Sequence, residues 1–382
     1  MEIAPSFSIF CTLLRYLSGV HIVYYQWKHY HGFTVDRNFI IFYIIYTCFI
    51  FYDIALGSVY PLDKMLSVPE SIGAFLLRTI FMLSLMISSK TIIENINIRL
   101  LCAIFLLFCL LPAMFYIHLV GFETFQVVSV ENSEAQYIGA LTFAYNNAYV
   151  IVLFVFFGLS LFKRKWLSAI LVIAVIICVG YIFLASTKRG PILWTLVSIL
   201  TCNLIKNKKN FSFYFKLSVI LVVLYLLGPY ILDSLSQFAP HSIERIYNMV
   251  YEGDTSDRLA PGDSDSGYTL AIEQFAQHPF WGSYFRLVTD GIFQGAYPHN
   301  IFLEIMITMG VFGLIPLLFF IERAFSGMSS ILQRSKDDQV LACFAIFCVT
   351  LFTLITTGTI CLNASFWVGL SLVLVIPKLK RA

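Results

Sequence analysis

Residues 166–186 read WLSAILVIAVIICVGYIFLAS and carry no charge from end to end. Lys163, Arg164 and Lys165 precede them, and Lys188 and Arg189 follow. A helix rises about 1.5 Å per residue, so a hydrocarbon layer of about 30 Å takes roughly 20 mostly apolar residues. This stretch meets that need, and ten others come near it: 7–26, 38–57, 71–89, 98–120, 139–162, 190–205, 214–232, 299–321, 339–358 and 361–377. The chain of 382 residues is 59% hydrophobic and only 12% charged, with a mean hydropathy of +0.82. No water-soluble fold of this length hides so much apolar surface. A soluble enzyme, a disordered tail and a nucleic-acid-binding module are therefore excluded.

The expected fold is all-α: a polytopic integral membrane protein of about 11 transmembrane helices with one long extracytoplasmic loop. Residues 1–138 hold helices 1–4, 139–232 helices 5–8, 233–298 the loop, and 299–382 helices 9–11. The first stretch contains Arg15 and lacks a small-residue cleavage site, so it is expected to remain as a helix. The nine cysteines sit in or at the ends of apolar runs without Cys-x-x-Cys spacing. They read as small buried hydrophobes, with no disulfide framework and no metal site expected.

Lys and Arg in short loops set the orientation. With the C-terminal Lys378, Lys380 and Arg381 inside, parity places Lys28 and Arg37, Lys90 and Arg99, Lys163 to Lys165, Lys206 to Lys209, and Arg323 to Lys336 inside as well. Most of the 25 basic residues then face the cytoplasm and the N-terminus lies outside. The long polar stretch 233–298 falls outside. Within it, 253–267 is rich in Gly, Asp and Ser, and 268–278 has the apolar spacing of a short surface helix ending before Pro279.

Ionisable residues inside apolar spans are costly and are functional candidates. Arg15, Arg78, Asp53, Asn146, Asn147, Arg189 and Glu304 all map to the outer half of the layer, in a slab roughly 10 Å deep. Their shared depth suggests a polar cavity open to the outside and suited to an anion. The competing reading is snorkelling and scattered interhelical hydrogen bonds. Lys188 and Arg189 lie in the turn Ser186-Thr187-Lys188-Arg189-Gly190-Pro191, against the positive-inside bias. Pro191 puts Arg189 beside a helix N-terminus, where its planar fork would hold a phosphate bidentately. Contact with lipid headgroups is the alternative.

The sharpest constellation is Tyr297-Pro298-His299-Asn300-Ile301-Phe302-Leu303-Glu304, followed by Gly310-Val311-Phe312-Gly313. Pro298 marks the start of span 9. His299 in its first turn is kept neutral by the helix dipole, as a general base must be. His299, Phe302, Met306, Gly310 and Gly313 share one face, where a neighbouring helix can approach closely. Asn300 and Glu304 share an adjacent face. The alternative is an N-capping and packing cluster.

These residues resemble the O-antigen polymerase/ligase superfamily, with its Wzy-type polymerases. His299-Asn300, nine residues, then Gly310-x-x-Gly313 fits the family's His motif. Ser186-Thr187-Lys188-Arg189-Gly190 fits its Arg turn, and Pro279-Phe280-Trp281-Gly282 its Pro-x-x-Gly turn. The likeness covers roughly residues 140–320. It implies a GT-C-like membrane glycosyltransferase in the bacterial inner membrane, with its active site facing the periplasm. It further implies an undecaprenyl-diphosphate-linked oligosaccharide as donor, and neither nucleotide sugar nor metal as cofactor. Carried over by position, Arg189 would hold the donor diphosphate and His299 would activate the acceptor hydroxyl. Many members of that family carry a second Arg early in the loop; here Ser264-Asp265-Ser266-Gly267 stands in its place, with Arg258 and then Arg286 the nearest. Trp281 and Tyr297, among loop carboxylates, form a mixture common in sugar binding. The expected partners are the lipid-linked oligosaccharide, membrane lipids and a chain-length regulator, with no nucleic acid. A ligase acting on lipid A-core and a lipid-linked oligosaccharide transporter or flippase are the rival readings.

Overall fold

A computed structural model describes residues 5–55, 68–122, 125, 134–186, 189–208, 210–237, 240–247, 267–283, 298, 300–335, 337–356, 359–361 and 363–380. In chain order its helices are α1 (Pro5–Tyr30), α2 (Arg37–Ala55), α3 (Val68–Ile87), α4 (Ser89–Asn95), α5 (Ile98–Phe105) and α6 (Leu111–Val120). There follow α7 (Glu134–Phe157), α8 (Lys165–Ser186), α9 (Arg189–Lys206), α10 (Phe211–Ser236) and α11 (Pro240–Tyr247). The last are α12 (Gly267–Gln277), α13 (Ile301–Leu332), α14 (Asp338–Thr353) and α15 (Ala364–Leu379). No strand occurs among the described residues. Among the described residues each of the eleven apolar stretches falls mostly on helix, and the expected surface helix 268–278 is α12. Among the described residues, four helices are long and apolar enough to cross a membrane: Ile98–Val120, Thr142–Ser160, Lys165–Ser186 and Ile301–Leu332. A fifth follows if the pair Ile72–Ile87 and Ser89–Asn95, bent by 62°, counts as one span.

Short polar side chains start several of these helices. Asn97 accepts from the Arg99 and Leu100 N–H groups, Asn363 from Phe366, Asp36 from Phe39, and Asp337 from Gln339 and Val340. Each cap satisfies amides that have no partner within the helix and contributes about 1 kcal/mol.

The chain divides into two compact units. The first comprises residues 1–96, 257–331 and 354–382 and contains α1–α4, α12, most of α13, and α15. Its core is aromatic. The fully buried Trp367 of α15 packs against Tyr43 and Tyr46 of α2 at 4.9 and 5.0 Å between ring centroids, and Phe39 meets Phe320 edge-on at 5.2 Å. Such pairs contribute about 0.5–1.5 kcal/mol each beyond their buried area.

The second unit comprises 97–256 and 332–353, with α5–α11 and α14. A π-turn, Leu106–Leu110, links α5 to α6. The α7–α8 turn closes where the Phe162 N–H meets the Ser168 hydroxyl. α14 is buried along most of its length; Phe352 stacks on Trp194 of α9 at 5.9 Å, and Thr350 hydrogen-bonds Tyr149 of α7 at 2.9 Å.

Candidate functional site

The first turn of α13 is held from two directions. Asn300 caps it, its carboxamide oxygen accepting from Phe302 N–H at 2.9 Å and Leu303 N–H at 3.2 Å. The Ile301 N–H donates to Leu354 O at 2.9 Å. Glu304, fully buried, turns its carboxylate toward the segment between α14 and α15. It accepts from the Thr359 hydroxyl, from Ile360 N–H at 2.9 Å and from Cys361 N–H at 3.4 Å. Trp367 Nε1–H donates to Ile360 O at 2.9 Å, tying the same segment to the aromatic core. A buried carboxylate is tolerated only when hydrogen-bonded in this way.

Spacing places Asn300 and Glu304 on one face of the helix. In the structure Asn300 serves as the helix cap, and Glu304 fastens the helix start to 359–361. Thr359 was not singled out from the sequence. The signal for it was present: Thr356-Thr357-Gly358-Thr359 is a polar run between two apolar spans.

α13 is not continuous. Gly310 breaks it with φ +61° and ψ −152°, a conformation open essentially to glycine alone. The turn from Pro279 to Ser283 fills the break. Val311 N–H donates to Pro279 O at 2.8 Å and Phe312 N–H to Phe280 O at 3.4 Å; in return Ser283 N–H donates to Ile307 O at 2.7 Å. The backbone groups freed by the break thus find partners, the condition for irregular chain inside an apolar span. A Cβ on Gly310 would lie 2.3 Å from Phe280 O, and one on Gly282 (φ +72°) would lie 2.5 Å from the Thr308 carbonyl carbon. At Gly310 the small-residue face receives this turn, while Gly313 lies against Met309 and Ile305 of its own helix. Above it Trp281 stacks on Phe312 at 4.6 Å, with Trp281 61% exposed.

The other expected site residues fall on several helices or outside the described residues. Arg15 is exposed on α1, and Arg78 is half-buried on α3. Asn146 is half-buried on α7, and Asn147, in the second unit, donates to Phe143 O and Cys109 O. Arg189 opens α9. The side chains of Asp53 and Arg189, and Lys188, Arg258, Arg286, Tyr297 and His299 altogether, lie outside the described residues. The Tyr43 and Tyr46 rings pack on Trp367, whose indole N–H holds Ile360 O.

Comparison with family models, with curated proteins and with solved structures returned no match to this chain.

Proposed function

We propose that this chain is a GT-C-like membrane glycosyltransferase that polymerises undecaprenyl-diphosphate-linked repeat units at the outer face of a bacterial inner membrane. One observation carries the reading. Two of the sequence features that resemble the polymerase family, Pro279-Phe280-Trp281-Gly282 and Gly310-x-x-Gly313, hydrogen-bond to each other, although nearly 30 residues separate them. Their contact supports treating them as parts of one device that sets the helix start next to His299.

In this reading eleven spans cross the membrane with the N-terminus outside. Loops assigned to one side also meet one another in the first unit. On the inner side Asp36 meets Arg323 and Lys378, and Gln26 meets Thr91. On the outer side Tyr268 meets Ile355, and Glu304 meets 359–361. A lipid diphosphate is already a good leaving group, so the chemistry needs charge stabilisation and a base near the acceptor oxygen. Arg189 takes the first role and His299 the second. His299 removes the acceptor hydroxyl's proton while the sugar–phosphate bond breaks and the diphosphate leaves with the electron pair. Glu304, anchored to Thr359, is a positioning residue.

A ligase would differ only in its acceptor. The transporter reading gains one observation: interrupted helices, here at Gly310 and Ser88, are common at transporter binding sites. Turnover of lipid-linked oligosaccharide by the purified protein separates the two. Polymer formed by wild type, abolished by His299→Ala and impaired nearly equally by Arg189→Lys and Arg189→Ala, is the expected result, since lysine keeps the charge but loses the fork. Movement of the lipid without turnover would establish the transporter.

A further inference from the structure

The end of α13 remote from His299 carries a cleft of about 370 Å³ against the end of α15. This volume is at the small end of ligand sites. Its polar lining is Glu322, Arg323, Ser326 and Ser330 from α13, and Lys378 from α15. Asp36, 3% exposed, sets the two cations: Arg323 Nη2 donates to its Oδ2 at 2.8 Å and Lys378 Nζ at 3.1 Å. Asp36 occupies one guanidinium nitrogen and the Phe319 ring lies 5.5 Å from the guanidinium carbon; Arg323 Nε and Nη1 have no hydrogen-bond acceptor among the described residues. Lys378 also donates to Val35 O at 3.1 Å and keeps a third N–H. Donors suited to a phosphate therefore line the cleft together with the Ser326 hydroxyl, while the Ser330 hydroxyl donates to Gly327 O at 3.2 Å.

The charges balance. Arg323 and Lys378 offset Asp36 and Glu322, and the exposed Glu322 carboxylate stands apart from the Asp36 pair as an acceptor on the lining. A purely anionic guest would leave Glu322 opposed. A guest bearing both a phosphate and an N–H-bearing ammonium satisfies both ends. An apolar track leads to the same place. Phe312, Ile315 and Phe319 are 53%, 61% and 53% exposed, and with Glu322 and Ser326 they follow one face of α13 at spacings of three and four.

We propose that this cleft binds the headgroup of an aminophospholipid of the ethanolamine type. Its phosphodiester lies on Arg323, Lys378 and Ser326, its ammonium on Glu322, and its acyl chains along Phe319, Ile315 and Phe312.

The test uses the full chain purified in detergent and native mass spectrometry. Short-chain phosphatidylethanolamine, phosphatidylcholine and phosphatidylglycerol are titrated separately, with inorganic phosphate as a fourth probe. One phosphatidylethanolamine should bind at least tenfold tighter than either other lipid. Glu322→Gln should erase the preference over phosphatidylglycerol, and Ser326→Glu should weaken phosphatidylethanolamine at least tenfold. Both positions are exposed, and neither variant should move the Tm. Equal binding of the three lipids, or retention of the preference in Glu322→Gln, overturns the assignment. Phosphatidylglycerol binding tightest makes the site an anion site and overturns the ammonium contact. Inorganic phosphate matching phosphatidylethanolamine makes a soluble phosphate the guest and overturns the lipid.

Discussion

The first unit contains two interrupted apolar helices, at Ser88 and at Gly310, and they are interrupted in different ways. At Ser88 the chain bends by 62° using ordinary backbone angles, φ −95° and ψ 19°. Its hydrogen bonds stay local: Ser88 N–H donates to Ser84 O, and Ile92 N–H to Ser88 O. At Gly310 the backbone takes a positive φ, and a turn from elsewhere in the chain completes the ladder. The first is a bend that most residues could make. The second is a socket that needs one glycine in the helix and another in the turn. The second also adjoins the residues that carry the functional proposal.

The largest expected effect tests the socket directly. Gly310→Ala combines a backbone conformation costing about 1–3 kcal/mol with overlap on Phe280 O costing about 1–3 kcal/mol more, for a total loss of about 2–6 kcal/mol. Unfolding in a mixed-detergent titration measures it, and a loss below about 1 kcal/mol would erase the contrast with Ser88. Gly282→Ala meets the same socket from the other side and should lose about 2–3 kcal/mol. If it is neutral, the turn only rests on the helix and does not complete it.

Glu304→Gln probes the second anchor of the same half-helix. The amide replaces one acceptor by a donor, which at Oε2 would face the Ile360 N–H and at Oε1 the Cys361 N–H. A loss of about 1.5–3 kcal/mol is expected in the same titration. Wild-type stability would leave the socket as the sole anchor.

Asp36 provides a comparison at the far end of α13. Burial pushes its carboxyl up, but hydrogen bonds from Arg323, Lys378 and the Phe39 N–H outweigh that and hold it below the usual carboxylate range. A carboxyl lowered in the folded state stabilises the fold above its ordinary range. That contribution fades as pH falls through the ordinary range toward the folded value. Arg323 and Lys378 are 32% and 44% exposed, so solvent screening limits it to about 1–2 kcal/mol. Tm measured in acid should therefore drop less in Asp36→Asn than in wild type. Equal acid sensitivity would assign the drop to other groups. The smallest effect belongs to Ser88→Ala. The Ser88 hydroxyl is buried with no hydrogen-bond partner among the described residues. Its removal should change stability by less than about 0.5 kcal/mol or raise it slightly. A cost matching Gly310→Ala would show that both breaks are specified by side chain.

The helices were legible in the sequence because a span of apolar residues has few other structures open to it. Thus 166–186 emerges as α8 and 268–278 as α12. The capping role of Asn300 was legible as an alternative to function, from its place after Pro298. The break at Gly310 was not. Its glycines fit a helix-packing face equally well, and only the turn at 279–283 decides between the two. Thr359 is marked in the sequence only as part of the polar run 356–359; its pairing with a residue 55 positions away leaves no periodic trace. Arg15 and Arg78 stood out by their charge, but a one-dimensional depth map does not say which face of a helix each occupies.

The distance between Glu304 and its partners also bears on how the chain is made. The Thr359 hydroxyl that it accepts from is encoded 55 residues later. At about 5–20 residues per second, synthesis of that interval takes roughly 3–11 s. Throughout that time the carboxylate sits in a newly made apolar helix with none of its final partners in existence. A nascent chain stopped before Thr359 has α14 but leaves this group without those partners, so the half-helix is fastened only once the segment after α14 has been made. Chains cut short there present a buried acid for the cell's proteases and chaperones to find.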